Sequence, residues 1–114
     1  AALSSATTGT SIATTGTVNA TPDTLSAGTN GYVLDVDATT QGGGLGTMTI
    51  NAEYNGTDTS SGGTLSTSLQ PIASADNTTD GDVMTLLARA AITGVLGAAD
   101  DYTDTLTVVG AGNF

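Results

Sequence analysis

The chain has no cysteine, histidine, tryptophan or lysine, and most of these absences remove a class of function. Without Cys there is no disulfide, no thiolate nucleophile and no thiolate metal site. Without His, Cys and Lys, the usual suppliers of a base, nucleophile or electrophile tuned near neutral pH are missing. One cation, Arg89, stands against 11 acidic residues, for a formal charge of −10. Phosphate backbones are bound by Lys and Arg, so this count argues against a nucleic-acid partner and disfavours an anionic membrane surface. Proline occurs twice and aromatics make up 4% of the chain. No apolar run approaches the ~20 residues of a membrane span, so the mature chain is not expected to insert into a bilayer.

What is there is polar and β-branched. Thr and Ser supply 33 of the 114 residues, Gly supplies 16, and apolar residues are 38%, many of them Ala. The length suits one domain. Its core has to be thin and suits a packed sheet better than a helix bundle. The expected core is Leu25, Leu34, Val36, Met48, Ile50, Tyr54, Leu65, Leu69, Ile72, Leu86, Ile92, Tyr102, Leu106 and Val108.

A period of two runs through most of the chain, which predicts half-buried antiparallel strands. In residues 45–54, Met48, Ile50, Ala52 and Tyr54 share one parity, with Thr47, Thr49, Asn51 and Glu53 on the other. In residues 32–37, Tyr32, Leu34 and Val36 point inward and Val33, Asp35 and Asp37 outward. Further strands are expected at Leu65, Thr67 and Leu69 up to Pro71, and over residues 103–109. Turns are expected at Pro22-Asp23, Asn30-Gly31, Gly42 to Gly44, residues 55–63 and residues 76–82. Residues 83–92 are two-sided. Val83, Leu86, Leu87 and Ala90 fit helical spacing with Asp82 as N-cap, whereas period two aligns Met84, Leu86, Ala88, Ala90 and Ile92. Strand is the expectation, on the resemblance that follows.

Leu86-Leu87-Ala88-Arg89, the loop over residues 94–99 and Asp101-Tyr102-Thr103-Asp104-Thr105-Leu106-Thr107-Val108 resemble the C-terminal quarter of the spore coat U-type pilins of archaic chaperone–usher pili. There, a strand ending in a Gly-Arg-x-Pro-like stretch is followed by a loop and a Gly-x-Tyr-x-Asp-Thr motif that opens the last strand. Ala88 replaces the family's Gly, and the family's cysteines are absent. The resemblance implies an all-β, immunoglobulin-like antiparallel β-sandwich that lacks one strand, its groove filled by an extended N-terminal segment of a neighbouring subunit. Residues 1–20 would then be the donor and residues 21–114 the sandwich. The residues themselves allow this. Residues 1–20 carry no Pro and no charge, and on even parity offer Ala2, Ala6, Ile12, Val18 and Ala20, a strand able to enter a shallow groove. A Ser/Thr-rich disordered tail is the competing reading.

Candidate chemical sites are few. Asp76, Asp80 and Asp82 imitate the start of a calcium loop, but position three is Thr78 and position twelve is Leu87 where a bidentate Glu is required. An acidic turn is the expectation, with no cofactor and calcium only as a weak candidate. Asp100, Asp101 and Asp104 form a second acidic patch. The carboxylate pairs Asp35/Asp37 and Asp100/Asp101 lie on expected solvent faces or loops, so catalysis is not expected. Arg89 is expected to pair with a neighbouring Asp, and Tyr32, Tyr54 and Tyr102 to be core aromatics. Sequons at Asn19, Asn55 and Asn77 are candidate glycosylation sites. Together with a start at Ala1-Ala2-Leu3 instead of an initiator Met, they suggest secretion.

The expected function is that of a structural subunit of an extracellular prokaryotic filament or pilus, a non-covalent helical homopolymer of identical subunits. The alternative is a secreted β-sandwich module that binds carbohydrate or calcium within a surface assembly.

Overall fold

The computed structural model describes residues 1–112, and its elements are strands apart from one short turn of 3-10 helix. In chain order they are β1 (Ala2–Ser4), β2 (Ser11–Ala13), β3 (Asp23–Thr24), β4 (Gly31–Thr40), β5 (Met48–Ile50), the 3-10 turn (Ala52–Tyr54), β6 (Ser61–Gly62), β7 (Ala73–Ala75) and β8 (Val83–Ala91). They pair antiparallel as four two-stranded ladders, β1–β2, β3–β6, β4–β8 and β5–β7. The all-β expectation therefore holds. The molecule is elongated, 50 × 25 × 22 Å.

The β4–β8 ladder organises the rest. It runs from Gly31 opposite Ala91 to Thr40 opposite Val83, and its register shifts at Asp37, which bulges out of β4. β8 forms despite a helix-compatible composition, because its apolar residues meet β4 only at a spacing of two; long-range pairing overrides local propensity here. The other edge of β4 is bonded at two points. Thr15 N–H donates to the Tyr32 carbonyl, and Leu34 and Gly63 exchange reciprocal bonds of 3.0 and 2.7 Å.

β4 is covered on both faces, not one. Tyr32, Leu34 and Val36 are buried as expected, but Val33 is fully buried and Asp35 only 2% exposed. The cause is the 56–62 segment, which lies against the second face. A side chain at Gly62 would come within 2.8 Å of the Leu34 carbonyl and 3.0 Å of Val33, so only Gly lets the backbone approach this closely. On the first face Leu34, Val36 and Tyr54 form the core, with Ile50, Leu65, Ile72, Met84 and Leu86 packed around them.

Several expectations fail for local reasons. The strand expected over residues 45–54 is cut to Met48–Ile50. Asn51 Oδ1 accepts the Glu53 N–H, and Tyr54 N–H bonds back to Asn51, so the chain turns. That breaks the parity and buries Glu53, expected outside, beside Tyr54. Leu65 to Leu69 is a loop, and Leu69 and Ile92 are exposed. Of residues 103–109 only Thr103 makes a β-bridge, with Ser4, and Leu106 and Val108 are exposed. The first twenty residues are not one extended strand either. β1 and β2 close a hairpin through a tight turn in which Gly9 N–H bonds to the Ser5 carbonyl and Gly9 takes φ +65°.

The expectation for Arg89 holds. Its guanidinium lies 2.8 Å from Asp35 Oδ2 and 3.7 Å from Asp37 Oδ1, and it donates to the Thr59 carbonyl. Asp35 Oδ1 accepts the Gly56 N–H at 2.8 Å. Removing one partner of a buried pair strands the other charge, so Asp35→Ala is expected to lower unfolding free energy by about 3–5 kcal/mol. Asp37→Ala, at a side chain half exposed, is expected to cost under about 1 kcal/mol. Denaturant melts of the two variants check this, and equal losses would show that the guanidinium is shared evenly.

Candidate functional site

Two features of the surface are not explained by folding alone: a cleft over the core and a clasp that holds the N-terminal hairpin. The cleft encloses about 850 Å³. Leu34, Tyr54, Met84 and Leu86 line its floor, and Leu106 and Val108 border it from the C-terminal segment. Residues 65–75, a loop that runs into β7, form most of the rest of its wall. Among the described residues, Asp104 and the amine of Ala1 are the charged groups on the lining. The Asp104 carboxylate also acts on Tyr32, whose phenol is pushed above its ordinary pKa chiefly by burial and then by this neighbour.

The clasp joins segments some ninety residues apart. Ser5 Oγ donates to Asp101 Oδ1 at 2.5 Å, and Thr7 N–H donates to Oδ2 at 2.9 Å. The Tyr102 hydroxyl donates to the Gly97 carbonyl at 2.8 Å and lies 2.6 Å from Thr10 Oγ1. Ser4 and Thr103 exchange backbone bonds of 2.9 and 3.0 Å. Tyr102 is thus a half-buried hinge pin between hairpin and C-terminal segment, not the enclosed core aromatic expected. Further along, Glu53 accepts the N–H groups of Asn19 and Thr64 on its two oxygens, which pins the end of the N-terminal segment to the core.

The four residues expected to form one polymerisation face are dispersed by the hairpin. Ile12 is buried in its own subunit, Ala2 pairs with Ala13 in the ladder, and Ala6 and Val18 are exposed. Asn19, Asn55 and Asn77 are all exposed. Asn19 is also the centre of a turn in which its Oδ1 accepts from the N–H and hydroxyl of Thr21, its own sequon residue. Asp76, Asp80 and Asp82 serve the 42–47 loop. Asp76 Oδ1 accepts from Thr47 N–H, the Asp80 carbonyl from Gly43 N–H and Asp82 Oδ1 from Gly42 N–H. Among the described residues no three acidic side chains gather around a common point, and no helix is long and apolar enough to cross a membrane.

The sequence missed the burial of Asp35 and that of Glu53. For the first there was a signal: an acid inside the apolar run Tyr32-Val33-Leu34-Asp35-Val36, in a chain with one cation to neutralise it. For the Ser5–Asp101 contact, 96 positions apart, there was none.

The hydrogen bonds from Ser5, first, and from the Thr7 N–H hold the Asp101 carboxyl below the usual aspartate range. Its folded pKa is depressed, so its contribution to the clasp is complete above the unfolded value of about 3.9 and is lost as pH falls through the lower folded one. Following the Asp101 carboxyl and the Thr7 amide by NMR should show both changing together below about pH 4. In Asp101→Asn the Thr7 amide should lose this acid step, and an unshifted titration in the native chain would contradict the clasp. A calcium chelator is expected to leave the melting temperature unchanged, and a drop of many degrees would mean that the Asp76 to Asp82 loop holds an ion. No protein-family model matches the chain, nor does any curated protein or solved structure.

Proposed function

We propose that this chain is a structural subunit of an extracellular prokaryotic filament, joined non-covalently to identical copies by donation of its N-terminal segment to a neighbour. The observation that carries the reading is the open cleft, apolar on its floor and almost free of charge, in a chain of net charge −10. Two copies so acidic repel one another, so a contact between them has to run through uncharged surface. Residues 1–22 form the longest stretch of the chain without a charged side chain, which makes them the natural complement to such a cleft.

The attachment of this segment supports the reading further. Its hairpin has a ladder of three residue pairs, two side chains below a tenth exposed in Ser5 and Ile12, and a clasp made of hydroxyls, one carboxylate and the Ser4–Thr103 backbone bonds. A segment held mainly through hydrogen bonds can regain equivalent bonds in another subunit, which is how strand exchange proceeds. Residues 16–21, which connect it to the body, are exposed throughout, and Gly16 takes φ +80°. The exposed sequons and a surface dominated by Thr and Ser fit an extracellular, glycan-bearing location.

Deleting residues 1–18 is expected to leave a soluble chain of lower stability, since Ile12 and the Thr15–Tyr32 bond go with it, and to abolish polymers. Negative-stain micrographs and native sizing of both chains are the check. Filaments of unchanged appearance from the truncated chain would sink the donor role. A full-length chain that stays near its 11.0 kDa monomer mass at every concentration would sink the filament itself.

A further inference from the structure

The C-terminal segment combines two properties that conflict in a finished fold. Its sequence Thr105-Leu106-Thr107-Val108-Val109 has four β-branched residues out of five and large apolar side chains at alternate positions, a strand by composition and by period. Yet among the described residues none from 104 to 112 makes a backbone–backbone hydrogen bond; the last such bonds are those of Thr103 with Ser4. Leu106, Val108 and Val109 stand 42, 62 and 62% exposed. The segment borders the cleft on one side. On its floor lie Met84 and Leu86 of β8, a nine-residue strand that pairs with β4 alone and so has an unpaired edge. An unpaired edge and an unpaired strand-like segment beside one cleft with a single acidic side chain form a place where a third chain segment would satisfy both.

We infer that residues 105–109 become a strand only when an extended segment of a second copy enters the cleft, so that the incoming chain lies between them and β8. The identity of the occupant rests on the filament reading above. Charge selects it, because the cleft offers no cationic side chain and one acid, and residues 1–22 carry neither. Reach allows it. Fifteen residues fully extended span about 50 Å, the length of the molecule itself. Closure of the segment over the incoming strand would bury the apolar side chains that the single subunit leaves in water, which supplies the driving force that its isolated backbone lacks.

Amide hydrogen exchange tests this directly on the full chain. In dilute monomer the amides of residues 105–109 should exchange quickly, and in the assembled state they should slow by at least about a hundredfold. A second variant separates this from folding. Val108→Pro removes an N–H that has no backbone partner in the single subunit, so its monomer should melt as the native chain does, while assembly should require at least about tenfold more protein, since proline cannot donate to a ladder. Protection of 105–109 already in the monomer, or a Val108→Pro monomer that melts lower, would mean that the strand forms within its own subunit and would overturn the inference. Filaments in which 105–109 stay unprotected, or Val108→Pro assembling normally, would overturn it while leaving the filament reading intact. A chain that never assembles would overturn both.

Discussion

The fold depends on neutralising one carboxylate. Asp35 sits in the middle of β4, sealed under the 56–62 segment, and an isolated charge there would be costly enough to keep the strand from being covered on that face. The only cation in the chain solves this. Arg89 lies opposite Val33 in the ladder and reaches diagonally to Asp35, two positions along. Its second bond, to the Thr59 carbonyl, holds the covering loop in place, and Gly56 donates to the same carboxylate from that loop. The pair therefore links three segments: both strands of the longest ladder and the loop that buries them. Buried ion pairs are weak contributors to net stability, but they discriminate strongly between registers. A slip of β8 by one residue would turn Arg89 to the other face of the sheet and leave Asp35 with no cation at all.

Where larger proteins would use apolar bulk, this one uses hydroxyls. Among the described residues, six apolar side chains are buried, a small number for a chain of this length. Contacts between distant parts of the chain fall instead to groups such as Thr64, whose hydroxyl meets both the Thr15 carbonyl and Asp23, and the Tyr54 hydroxyl, which donates to the Thr64 carbonyl. Each bond of this kind contributes roughly 1 kcal/mol net, and each requires a defined geometry. Burial pushes the Tyr54 phenol up in pKa, with the Glu53 carboxylate adding to it, so its proton stays in place for that bond. A core held together by directional bonds loses stability in small steps and is rigid wherever the bonds are complete.

How much of this was legible in the sequence follows from the range of each interaction. The all-β class could be read because alternation is local and most apolar residues obey it, whereas residues 83–92 fit helix and strand alike and were expected as strand only on the resemblance. The inward set Tyr32, Leu34 and Val36 was legible from that alternation too. Burial on the second face of β4 was not, because it comes from a loop that returns twenty residues later and whose glycines permit contact with no pattern of their own. Glu53 went unseen because one Asn side chain, accepting a bond two residues on, converts a strand into a turn and reverses the parity. The hairpin was hidden for a related reason. Nothing between Ser5 and Thr10 is a strong turn signal apart from Gly9, and the turn is fixed by a carboxylate from the far end of the chain.

Arg89 being committed to the interior has a consequence for how the molecule behaves among others. With that guanidinium withdrawn, no cationic side chain remains for the exterior, and nine acidic residues other than Asp35 and Asp37 are left without one to offset them. Every approach between two such particles is repulsive within the range set by the surrounding ions, about 8 Å at physiological ionic strength, and is screened beyond it. Adhesion of such surfaces is thereby confined to short range and made sensitive to salt.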